Sequence, residues 1–176
     1  MKVDLNSRYG LNPAHSEVVE ACKIIKPCNA LDMGCSNGRN AVYLSQQGFN
    51  VTAIDTNIGA IDMLKNISVE EQLSNINAQV YDINEANINQ DYGFISCTVT
   101  LMFVDSSRVG AIINDMQDHT LAKGYNLIVC AMNTEEHPCP APFPFTLKTG
   151  QLREAYQSWE LIKYNENVGT GLPRLC

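Results

Sequence analysis

The chain has 176 residues, a length that fits one domain with a sizeable core, so residues 1–176 are read as a single domain. Hydrophobic residues make up 45% and charged residues 18%, which excludes a disordered chain, and the formal charge of −7 argues against nucleic acid or an anionic membrane as partner. No run of about 18 apolar residues is present, and Met1-Lys2-Val3-Asp4-Leu5-Asn6 lacks the apolar core of a signal peptide, so the expected compartment is the cytoplasm.

Asn12-Pro13 reads as an N-cap followed by the first residue of a helix that carries Val18, Val19, Cys22 and Ile25 on one face and ends at Lys26-Pro27. A first strand spans about Ala30 to Met33. It runs into a turn with two glycines, Gly34 and Gly38, and then a helical pattern with Ala41, Val42 and Leu44 that Gly48 stops. Asn50-Val51-Thr52-Ala53-Ile54 is a second strand closing on Asp55, and Asn57 caps a helix with Ile58, Ile61 and Leu64 at helical spacing. Ala78-Gln79-Val80-Tyr81 is a third strand, ending at Asp82, and Phe94 to Val99 is a fourth. An amphipathic helix with Val109, Ile112, Ile113 and Met116 is expected to run to Lys123-Gly124, and Tyr125 to Ala131 is the fifth strand. Prolines then occupy every second position from Pro138 to Pro144, which makes a stiff extended strip. It reads either as a wall of a small-substrate pocket or as a connector on the sheet edge. A short helix around Gln151 to Ser158 and a strand-like run, Glu160 to Tyr164, close the pattern.

Strands alternating with helices give a doubly wound, mostly parallel α/β sheet of Rossmann-like type, which binds ligands beyond the carboxyl ends of its strands. Asp32, Asp55 and Asp82 all fall at such ends and would share one rim. The seven cysteines form no C-x-x-C pair, and the three histidines are scattered, so no metal site is expected and the thiols suit a reducing cytosol.

The turn reads D-x-G-x-S-x-G from Asp32 to Gly38, not the dinucleotide fingerprint G-x-G-x-x-G. This form resembles the first motif of S-adenosylmethionine-dependent methyltransferases, with Ser36 where many of them have glycine. The resemblance places Asp32, Gly34, Ser36 and Gly38 around the amino-acid end of that cofactor, and puts Asp55, with Thr56 and Asn57, at the ribose hydroxyls. Asp82 would take the adenine amine with Ile83 packed on the ring, or Asp82 is only a cap or turn residue. Thr98 stands near the sulfonium, or is an ordinary strand threonine.

Longer segments are similar to the tellurite-resistance methyltransferases of the TehB type. They include Asp32-Met33-Gly34-Cys35 with Asn37-Gly38-Arg39-Asn40, Thr98-Val99 with Leu101-Met102-Phe103, and Gly124 to Val129 with Ala131-Met132. Pro138-Cys139, Phe143-Pro144-Phe145, Leu152-Arg153, Tyr156, Trp159 and Lys163-Tyr164-Asn165-Glu166 continue the series. The resemblance implies a class I methyltransferase fold, S-adenosyl-L-methionine as cofactor, a cytosolic enzyme, and methylation of tellurite with selenium oxyanions as further acceptors. It also implies a His-Arg-containing segment and a last strand after Val168-Gly169. The chain instead reads Gly169-Thr170-Gly171-Leu172-Pro173-Arg174-Leu175-Cys176, so the final strand is expected to be missing.

Methyl transfer from a sulfonium needs alignment and a dry site, and an oxyanion acceptor needs local positive charge to offset the −7. Arg39 and His15 are the candidates beside the chemistry, with Arg8, Tyr9 and Arg153 as further substrate residues. Each has a plain alternative: Arg39 pairing with a surface acid, His15 packing at a helix start. The loop Thr98-Val99-Thr100-Leu101 lacks the Asn/Asp-Pro-Pro-aromatic trap of amine-methylating enzymes, which disfavours nucleic acid as substrate. A small thiol-like acceptor, or cofactor binding without catalysis, stays open, and the expected assembly is a monomer or homodimer.

Overall fold

The computed structural model describes residues 4–166. Strands β1 (Asn29–Met33), β2 (Asn50–Asp55), β3 (Ile76–Val80), β4 (Tyr92–Thr98) and β5 (Thr120–Val129) form one sheet in the order β3-β2-β1-β4-β5. Every neighbouring pair is parallel. The chain steps outward from β1 to β3 and then crosses back to β4, so the winding direction reverses between β1 and β4. Such a reversal opens a crevice at the strands' carboxyl ends.

Strand alternation divides the core between the two faces. Helices α3 (Arg39–Gln46) and α4 (Ile58–Glu70) bury Val42, Leu44, Ile61, Leu64 and Ile67 against Ala30, Val51, Ala53 and Phe94. Helix α5 (Val109–Asp118) buries Ile112, Ile113 and Met116 against Leu31, Met33, Ile95 and Cys97 on the other face. Each such side chain contributes about 1.5–3 kcal/mol on burial. Two short helices, α1 (Leu5–Arg8) and α2 (Ser16–Ala21), precede β1, and α6 (Gln151–Ala155) follows β5. Among the described residues no helix is long and apolar enough to cross a membrane.

Three expectations are corrected. The first long helix does not start at Asn12-Pro13: α2 starts at Ser16, because His15 caps it through Glu17 N–H and the His15 N–H is held by Asn40 Oδ1. Helix α5 does not reach Lys123-Gly124. Its end at His119 is pulled into the sheet when the His119 carbonyl accepts the Tyr92 N–H, and Thr120 Oγ1 bonds the Met116 carbonyl at 2.6 Å. Lys123, with φ 65°, marks an irregularity inside β5, where the pairing with β4 shifts between Tyr92 and Phe94. The Glu160–Tyr164 run is not a strand; Lys163 is drawn to Glu17 of α2, and Leu161 and Ile162 stay half exposed. The expectation for the final strand falls on residues outside those described.

Candidate functional site at the carboxyl rim

The turn after β1 hangs on β2. Gly34 and Cys35 both donate to the Ile54 carbonyl, at 2.8 and 2.9 Å, and Gly38 donates to Cys35. Gly34, Ser36 and Gly38 have φ of 68°, 50° and 93°. The left-handed value at Ser36 explains why a glycine suits that position. A Cβ on Gly34 would sit 2.2 Å from Thr100 Cγ2, and one on Gly38 would sit 2.4 Å from Leu64 Cδ1. At either position a side chain would have to displace one already there.

Asp55 closes β2 and divides its carboxylate. Oδ2 accepts the Ser36 N–H at 2.8 Å and Oδ1 accepts the Asn57 N–H at 2.9 Å. Asn57 in turn caps α4 through the Ala60 N–H, and Thr56 between them is exposed. Asp82 follows β3 and caps a 3-10 turn (Ile83–Glu85) through the Asn84 N–H at 2.9 Å. Its role as a cap is thus realised. Ile83 is 5% exposed and built into the α5-side core, which leaves its backbone, not its side chain, for a ligand.

Asp32, Ser96 and Thr98 face α3. Asp32 is 1% exposed, accepts from Ser96 Oγ at 3.0 Å through Oδ1, and leaves Oδ2 without a hydrogen-bond partner. Burial pushes its carboxyl up to about 6 from 3.8, opposed by the Ser96 hydrogen bond, by the charge of Arg39 and, less, by the Asn40 side chain and the Ala41 N–H nearby. Helix α3 begins at Gly38 with no side-chain cap. A helix start ordinarily attracts phosphate. Here a buried carboxylate lies beneath it, so a pyrophosphate would meet like charge and a cationic ligand would not.

Two buried asparagines, Asn40 and Asn6, tie this rim together. Asn40 donates to Thr98 Oγ1 at 2.9 Å and accepts the His15 N–H at 2.9 Å. Asn6 donates to the carbonyls of Arg39 and Asn12. Neither was singled out from the sequence for such a role. The signal for Asn40 was a polar residue among the apolar positions Ala41, Val42 and Leu44; Asn6 gave none.

The cations divide into two groups. Arg39 is half buried in the first turn of α3, takes part in no ion pair among the described residues, and its charge bears on His15 and Asp32. His15 accepts the Glu17 N–H at Nδ1, which leaves the proton on Nε2. Burial, then Arg39, lowers its pKa, so the ring is neutral at neutral pH. Arg8 and Tyr9, in contrast, are not brought to the rim. Both bind Glu71, and Tyr9 also binds Glu70, at the far end of α4 from Asn57. That end is about 20 Å down the helix at 1.5 Å per residue. Arg153 stacks over Tyr164 at 4.7 Å on α6 and is not joined to the Asp32–Asn40 network.

Val99, directly after Thr98, has φ 58°, a rare conformation for a β-branched residue and one that clusters at functional sites. The proline strip packs beside it: Phe143 meets Phe103 edge-on at 5.3 Å, and Phe145 N–H reaches the Met102 carbonyl. Leu147 then pairs beside the continuation of β5 at Met132. The strip both borders the rim and lies on the sheet edge. A polar groove of about 240 Å³ at the opposite, amino ends of the strands is lined by Asn29, Asn50, Asn75, Asn77, Gln90 and Tyr92. It offers no carboxylate or cation.

The family model described as tellurite resistance protein TehB matches residues 3–173. The chain is 48% identical over 164 residues to a probable S-adenosyl-L-methionine-dependent methyltransferase TehB of Haemophilus influenzae (strain 10810), covering 93% of this chain and 57% of that protein. It superposes on the crystal structure of TehB from Haemophilus influenzae with a TM-score of 0.91 and 47% identity, over 94% of this chain and 57% of the other. A TehB-like SAM-dependent methyltransferase from Corynebacterium glutamicum shares the fold at a TM-score of 0.64 and 18% identity, over 88% of this chain and 76% of that one. The chain thus spans about 57% of the length of the curated relative it matches.

Proposed function

The chain belongs to the tellurite resistance protein TehB family, and on that premise we propose that it is a cytoplasmic S-adenosyl-L-methionine-dependent methyltransferase acting on tellurite and selenium oxyanions. The observation that carries this reading is the presence of opposite, mutually unbridged charges near the start of α3. The buried carboxylate of Asp32 has one oxygen without a hydrogen-bond partner among the described residues and feels the charge of Arg39, which joins no ion pair among them. That arrangement suits a ligand with a cationic centre beside an anion, and disfavours a diphosphate.

The bound cofactor supplies an electrophilic methyl group on a sulfonium; the electron pair of the broken bond stays on sulfur, so the acceptor needs a lone pair and no general base. Gly34, Ser36 and Gly38, all left-handed, shape the turn whose backbone would hold the cofactor. The free lone pairs of Asp55 suit the ribose hydroxyls, with Thr56 and Asn57 beside them, and Asp82 with the Ile83 backbone borders the adenine. Thr98 would stand near the sulfonium, and Asp32 beside the amino-acid end, whose ammonium its carboxylate suits. Arg39, aided by the Nε2–H of His15, draws the oxyanion to the rim against the charge of −7. The apolar strip around Phe143 and Phe103 helps to exclude water, which strengthens those attractions.

The test is direct. The protein is incubated with S-adenosyl-L-methionine and tellurite or selenite, with S-adenosylhomocysteine formation and headspace methylated species followed together. Product with either oxyanion supports the reading. Binding of S-adenosylhomocysteine without turnover on either refutes the acceptor class, and turnover on a small thiol would replace it.

A further inference from the structure

Thr100 sits two residues past the end of β4 and reaches across the crevice to the end of β1. It does so because Val99 between them takes the left-handed conformation, φ 58°, while its N–H stays bonded to the Val129 carbonyl at 2.7 Å. That conformation is strained for a β-branched residue and returns the chain over the Gly34 turn. The space a side chain at position 34 would occupy is filled by Thr100: a Cβ there would lie 2.2, 2.4 and 2.8 Å from its Cγ2, Oγ1 and Cβ. Oγ1 also faces the carbonyls of Thr98, Met33 and Gly34 at 3.1, 3.2 and 3.5 Å. A single hydroxyl proton cannot serve three acceptors, and the longest contact is at the limit for a hydrogen bond. Packing of the branched side chain is the firmer tie.

We infer that Thr100 is a positioning residue: it interlocks with Gly34 and so holds the turn that seats the cofactor at a fixed distance from the acceptor-facing end of β4. The inference rests on the methyltransferase reading for its consequence, though not for its geometry. Gly34 donates to β2, Thr100 belongs to the β4 loop, and their contact crosses the point where the sheet reverses direction. In-line transfer depends on that separation, since a misplacement of about 1 Å costs on the order of 100-fold in rate.

Two measurements test it. Thr100→Ala removes the branch and is expected to bind S-adenosylhomocysteine within about fivefold of the parent, while kcat on selenite falls at least about tenfold at saturating substrates. Thr100→Val restores the shape without the hydroxyl and is expected to recover most of that loss. A kcat for Thr100→Ala within twofold of the parent overturns the positioning role, because a merely structural residue would move Tm and leave kcat. The second measurement needs no acceptor. Gly34→Ala is expected to lower Tm and cofactor affinity, and adding Thr100→Gly to the same chain is expected to return at least half of the Tm loss. An equal loss in both backgrounds overturns the interlock. Absence of turnover by the parent on tellurite and selenite would refute the proposed acceptor, and the Tm comparison would still decide the contact.

Discussion

The carboxylate of Asp55 and the backbone N–H of Ser36 meet at 2.8 Å across 19 residues of sequence. This contact lets the end of β2 hold a turn residue whose φ of 50° is left-handed. The acid therefore shapes the turn before any ligand arrives, and a ligand on its remaining lone pairs would be held by the same group.

Asp55→Ala is expected to weaken S-adenosylhomocysteine binding roughly 10- to 100-fold, since hydrogen bonds to a charged group are each worth about 1.5–3 kcal/mol. Asp55→Asn keeps one acceptor oxygen and should lose less. Calorimetry on folded protein checks both, and parental affinity in Asp55→Ala would remove this residue from the site.

Asp32 is expected to make cofactor affinity depend on pH. Its carboxyl is raised from 3.8 to about 6, so the folded chain binds a proton there that the unfolded chain releases. The stability this contributes is present below pH 3.8 and lost as pH rises through about 6, a change on the order of 3 kcal/mol. A cationic ligand favours the ionised form, so affinity should rise between pH 5 and about pH 7, in the direction opposite to that stability contribution. Titrations at several pH values check this, and Asp32→Asn should flatten the rise.

Arg39→Gln is expected to raise KM for tellurite or selenite at least about tenfold while cofactor affinity stays within a few-fold, because removing a positive charge near the rim weakens oxyanion capture. Steady-state kinetics and calorimetry on the same preparation separate the two. A large loss of cofactor affinity with KM unchanged would assign Arg39 to the cofactor's own carboxylate instead.

His15→Ala removes the side-chain cap of α2 and should cost about 0.5–2 kcal/mol, whereas His15→Asn keeps an acceptor and should cost less. Thermal unfolding reads the difference. Equal Tm values for the two variants would show that the Asn40 contact to the His15 backbone, not the ring, holds the helix start.

Local patterning and tertiary contacts determined different things here. The order of strands and helices, Asn57 as a helix cap, the glycine turn and the three rim acids follow from periodicity, turn chemistry and spacing, which are local. The α5–β5 boundary did not follow: Lys123-Gly124 looks like a helix stop, yet the His119 carbonyl is claimed by Tyr92 from β4, a partner 27 residues away that only the sheet supplies. The same limit hid the division of the cations. Arg8 and Arg39 are the same residue type, but Glu71 on α4 takes Arg8, while Arg39 stays near His15, whose backbone Asn40 holds. Gly34 shows it most sharply. Its sequence position announced a close approach of something to the backbone, and the packed structure decided that the nearest occupant is Thr100, because volume is shared in three dimensions and not along the chain.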